Sequence, residues 1–128
     1  MKLFGKIAVI AAGVGALGAA VATPALAHHS FAMFDQTTKL AKAQVTVAEF
    51  RFTNPHSFVV VNVTEGSKVT RYVLECSSVN MLRKSGWKFN TIKPGDKVDI
   101  TYYPLRNGKP GGMLNSIKVP DGRTLSSW

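Results

Sequence analysis

The sequence predicts a mostly β protein: a small five-stranded OB-like barrel with one short helix between the third and fourth strands. Three observations lead there. Five separate stretches carry alternating or β-branched apolar residues, and turn-forming Gly, Pro, Asn or Ser lie between them. Only the stretch after Ser77-Ser78 changes to helical spacing. Residues 28–128 contain no apolar run long enough to cross a bilayer, and their length suits one modest core. A flattened, sandwich-like sheet with the helix across one end is the competing architecture.

Residues 1–27 stand apart from this pattern. Met1–Lys6 is short and basic, Ile7–Ala22 is uncharged, Pro24 breaks the run, and Ala25-Leu26-Ala27 puts small residues at the −3 and −1 positions of a cut. That is the order of a cleaved secretory signal peptide. The apolar run includes Gly13, Gly15 and Gly18 and is shorter than the roughly 20 residues of a comfortable membrane span. Cleavage after Ala27 is therefore expected, with Ala22 as the competing site and an uncleaved anchor as the alternative. No cysteine stands at the cut to carry a lipid, and the basic segment has no arginine pair. The expected location is the periplasm, or the medium.

Residues 28–39 mix histidine, aromatic and polar residues and read as an irregular arm; the barrel follows at 40–128. In the first strand Val45, Val47, Glu49 and Arg51 are expected on one face, with Thr46, Ala48, Phe50 and Phe52 on the other. Thr53-Asn54-Pro55 is turn chemistry. His56–Thr64 is a β-branched, well-buried strand, Glu65-Gly66-Ser67 a hairpin loop, and Lys68–Cys76 the return strand. Ser77 or Ser78 caps the helix, Val79, Leu82 and Met81 face inward, and Gly86 ends it. Trp87 and Phe89 are expected to cover one end of the core. Lys97–Leu105 and Met113–Val119 are the last two strands, separated by a loop whose glycines suit tight turning rather than phosphate binding. Pro120–Arg123 turns into a short tail ending at Trp128.

Charge limits the partners. Without Lys2 and Lys6, residues 28–128 keep fourteen basic and seven acidic side chains, net +7. An exported cationic domain would meet an envelope protein, a glycan or an anionic surface; nucleic acid is not an expected partner. Phe50, Phe52, Tyr72 and Tyr102 offer either a stacking face or core, and core is the favoured reading. The lone Cys76 cannot form a disulfide within one chain. It is expected as a buried small apolar residue, with an intermolecular disulfide or a soft metal ligand as alternatives.

His28-His29-Ser30-Phe31, Thr53-Asn54-Pro55-His56-Ser57-Phe58, Asn80–Trp87 and Lys93–Val98 occur here in an order similar to that of a family of small exported, periplasmic bacterial proteins of unknown function. The resemblance spans essentially all of residues 28–128. It implies an exported β-barrel-like domain and supplies no activity. Cys76-Ser77-Ser78-Val79 stands where that family usually has a Gly-Ser-Pro-like step, which makes Cys76 a local peculiarity.

All three histidines fall within these motifs. Cleavage after Ala27 would give His28 a free α-amine, whose ordinary pKa near 8 leaves a useful fraction able to bind a metal at neutral pH. His28 can then chelate through amine and ring nitrogen, and His56 can complete a three-nitrogen histidine brace suited to copper(II). His29 offers a rival mode through amine, main-chain amide and imidazole. Met33 and Met113 are further possible ligands, soft enough for copper(I). The plainer alternative is a solvated terminal pair, with His56 at a strand edge. No Ser–His–Asp order, carboxylate pair or nucleotide loop stands out, so no catalytic residues are assigned and catalysis is not the expectation. Asp35 and Glu49 read equally as surface groups or as groups that orient a ligand.

Overall fold

A computed structural model of the chain describes the backbone from His29 to Trp128 and side chains from Phe31 onward. His28, the side chain of His29 and the predicted signal peptide lie outside the described residues. The element order is α1 (His29–Ala32), β1 (Leu40–Arg51), β2 (Phe58–Glu65), β3 (Lys68–Glu75), α2 (Val79–Lys84), β4 (Lys97–Pro104), β5 (Gly111–Lys118) and β6 (Thr124–Ser126).

The strands hydrogen bond in the order β3-β2-β1-β4-β5-β6, and a parallel β3–β5 pairing closes the first five into a barrel. This is the OB-like architecture expected, with one short helix between β3 and β4. Closure depends on two glycines placed by the sequence reading in a loop. A Cβ on Gly111 would meet the Val73 carbonyl oxygen at 2.5 Å, and one on Gly112 would collide with the Tyr103 carbonyl. Their bare backbones let β5 approach both neighbours. A sixth strand was not expected either: the short tail pairs antiparallel with β5 through Ser116, Ile117 and Lys118.

The inward alternation of β2 and β3 is as expected: Val59, Val61, Val63, Leu74 and Cys76 are buried in one core. In β1 the expected faces fail. A bulge between Val47 and Glu49 shifts the register, so Val45 and Val47 point inward while the core packs next against Phe50 and Phe52. One extra residue turns the rest of the strand over, and Glu49 and Arg51 lie outside, paired at 3.0 Å.

Ser78 caps the start of α2, its Oγ accepting from the Met81 amide at 3.3 Å. Leu82 and Trp87 are sealed into the core, and Trp87 Nε1 donates to the Ser126 carbonyl at 2.7 Å. Each such side chain contributes about 1.5–3 kcal/mol through burial. Met81 and Phe89 do not face inward as expected; both are exposed. The arm is also less irregular than expected, since its first described residues make the helical turn α1.

Candidate functional site

The β1–β2 loop presents His56, and its own polar groups fix its shape. Thr53 Oγ1 donates to the His56 carbonyl at 2.8 Å. Ser57 Oγ donates to the Thr53 carbonyl and accepts from the Thr53 amide, at 3.0 and 3.1 Å. Asn54 Oδ1 accepts from the Val79 amide at 3.0 Å, tying the loop to the start of α2. The Asn54–Pro55 peptide is cis. Beyond the loop, the Ser57 amide donates to the Ser77 carbonyl and the Cys76 amide to the Ser57 carbonyl. His56 thus stands on backbone held from both sides.

Its ring meets the last residue of β3. His56 Nδ1 lies 2.6 Å from Glu75 Oε1, with the two side chains 29% and 15% exposed. The oxygen is off the direction of a ring N–H, so the two groups are in close contact without a well-aligned hydrogen bond. Burial pushes the Glu75 carboxyl above its usual range, and neighbouring His56 opposes that shift. With Nδ1 turned to the carboxylate, Nε2 is the ring nitrogen left for another partner.

The arm arrives beside this pair. Phe31 packs edge-on against Trp128 with centroids 5.2 Å apart, and Trp128 packs on His56 at 6.0 Å. The arm is fastened further along. The Asp35 amide donates to the Pro104 carbonyl and the Arg106 amide to the Met33 carbonyl, both at 2.9 Å, and Phe34 is buried. Asp35 also accepts from the Thr37 hydroxyl at 2.6 Å and amide at 3.0 Å, and these bonds hold its carboxyl down at about 2. Around the site His56 Nδ1, Ser77 Oγ and Trp128 Nε1 are buried without a hydrogen-bond partner among the described residues. They lie on segments bonded to one another, since the Ser77 amide donates to the Ser127 carbonyl and the Ser77 carbonyl accepts from Ser57.

Both sulfur candidates neighbour the same carboxylate. Met33 is half-exposed and shares with Glu75, Phe34 and Phe58 the lining of a cleft of about 180 Å³. Met113 is the register partner of Glu75 across the β3–β5 pairing and is buried.

A family model described as a family of unknown function, DUF6152, matches residues 17–115. The chain belongs to this family. Comparison with curated proteins and with solved structures finds no match. In this DUF6152 chain the matched span takes in Met33, His56, Glu75 and Met113, while β6 and Trp128 lie past it. Among the described residues no helix is long and apolar enough to cross a membrane.

Of the candidates read from sequence, His56, Met33 and Met113 are described: His56 touches Glu75, Met33 lines a cleft with it, and Met113 is its register partner on β5. His28 and the His29 side chain lie outside the described residues, and among those described no three His, Cys, Asp or Glu side chains form a metal-holding group. Asp35 and Glu49 are not at the site: Asp35 binds Thr37, and Glu49 pairs with Arg51 and Arg71. Cys76 is fully buried, and burial pushes its thiol well above the usual range. Tyr102 is core and Phe50, Phe52 and Tyr72 pack against it, which supports the core reading of these aromatics. Glu75 and Trp128 were missed. For Glu75 a signal existed: closing the hairpin as Glu65 opposite Lys68 sets Phe58 opposite Glu75, two residues from His56.

Proposed function

We propose that this DUF6152 protein is exported, loses residues 1–27, and binds copper(II) through the new terminus and His56. The α-amine and ring of His28, with His56 Nε2, would supply three nitrogens, a set that favours copper(II) over other divalent first-row metals. His29 is the competing terminal ligand. Glu75 would hold His56 by Nδ1, the way carboxylates commonly orient metal-binding imidazoles. Met33, half-exposed in the cleft that Glu75 also lines, and Met113, the register partner of Glu75, would be the soft ligands of a reduced ion.

One observation carries this reading: the arm reaches the barrel beside His56, through Phe31 on Trp128 and Trp128 on His56. Residues 29–32 form the helical turn α1, which keeps the chain start within about 5 Å of Phe31 along the helix axis, on the side of the barrel that carries Trp128 and His56.

The test has two parts. The intact mass of the protein recovered from an exporting host should correspond to a chain starting at His28. Electron paramagnetic resonance of its copper(II) form should show nitrogen coupling that changes in His56→Ala. An unchanged spectrum in His56→Ala would remove His56 from the site.

A further inference from the structure

The segment that follows β3 displays its side chains in a way the barrel does not require. Leu82 and Trp87 anchor it in the core, with Ser78 capping α2 and the Trp87 indole bonded to Ser126. On the outside of that anchored segment, Met81 is 46% and Phe89 76% exposed. Arg83, Lys84 and Lys88 are exposed among them. No acidic residue occurs between Glu75 and Asp96, and Asp96 is held by Lys93 at 2.9 Å. Arg83 lies over the Phe52 ring at 5.7 Å. Among the described residues none of Arg83, Lys84 and Lys88 makes an ion pair, whereas Glu49, Glu65, Glu75, Asp96 and Asp121 all do.

We infer that residues 79–93 dock this protein on the surface of an anionic phospholipid bilayer. Exposed apolar side chains interspersed with cations along one anchored segment match the layers of that surface: Phe89 and Met81 would enter the boundary of the acyl chains while Arg83, Lys84 and Lys88 stay at the phosphates. A protein partner fits less well. A stable interface needs on the order of 1,000 Å² or more with a packed apolar centre, and this segment offers two separate apolar side chains. The proposal uses none of the copper-site residues.

Vesicle co-sedimentation tests it, using the protein from an exporting host and vesicles of phosphatidylcholine with or without phosphatidylglycerol. The mixed vesicles should retain the protein and the neutral ones should not, with retention falling as salt rises. Phe89→Ser, at a surface position that leaves the fold intact by circular dichroism, should lower partitioning about tenfold, and Lys88→Glu by at least about fivefold. Lys68→Glu changes charge equally at the far end of β3, roughly 23 Å from Glu75 along the strand, and should have a much smaller effect. Equal retention on neutral vesicles, unchanged binding by Phe89→Ser, or equal losses in Lys68→Glu and Lys88→Glu would overturn the inference. So would absence of vesicle binding, including where a protein is captured through the same residues.

Discussion

Replacing Glu75 by Gln and by Ala separates its role in holding His56 from its role in the fold. The carboxylate is mostly buried and lies 2.6 Å from Nδ1, yet burial raises its pKa, so its charged form is costly to keep there. Removing it should change stability by only about 1 kcal/mol, because the lost contact and the relieved desolvation oppose each other. Copper affinity should respond more strongly. A group that orients a metal-binding histidine is typically worth 10- to 100-fold in affinity, or about 1.4–2.8 kcal/mol. Gln keeps an acceptor for Nδ1 and loses the charge, so it should sit near tenfold; Ala removes both and should approach a hundredfold. Competition against a chelator of known affinity measures the copper term, and thermal unfolding without metal measures the stability term. Wild-type affinity in a folded Glu75→Ala protein would refute the reasoning.

Other consequences follow from the barrel and the arm. Gly111→Ala places a Cβ against the Val73 carbonyl at a φ of +134° and should cost about 2 kcal/mol or more, seen as a melting point lower by roughly 10 °C; Gly108→Ala, in open space, should cost less. Asp35 has its carboxyl lowered chiefly by the Thr37 hydroxyl, to about 2 from 3.8. Its bonds therefore stabilise the folded arm fully above the unfolded value and lose that contribution as pH falls toward 2. The Thr37 amide resonance, bonded to the Asp35 carboxylate, should stay constant down to about pH 4 and move below it; a midpoint well above that would assign its bonding to another group. Cys76, fully buried with its thiol pKa raised, should resist thiol reagents until the chain unfolds, and rapid labelling of native protein would contradict its placement.

The strands most visible in the sequence are those whose alternation is unbroken. Val59, Val61 and Leu74 could be placed inward because β2 and β3 pair without a shift from Phe58–Glu75 to Glu65–Lys68. In β1 the alternation itself misleads, since the bulge near Ala48 is set by pairing with β2 and leaves no mark on composition. Gly111 and Gly112 resemble turn glycines until β3 is brought alongside, and β6 is too short for any period to show. The same distinction holds at the site. His56 is prominent because histidine is rare in this chain, but Glu75 acquires meaning only through the hairpin register, and Trp128 only through the fold that brings β6 back to β5. Apolar character alone points Met81 and Phe89 toward the core, but the anchors Leu82 and Trp87 already fill that space.

The central claim is that the terminus released after Ala27 and His56 share one copper ion. Titrating copper(II) into protein beginning at His28, and into the same protein with that α-amine blocked by acetylation, tests it most directly. The account predicts one tight equivalent for the first form and affinity at least about tenfold weaker for the second, which lacks the α-amine of His28. Equal affinity in the two forms would contradict it.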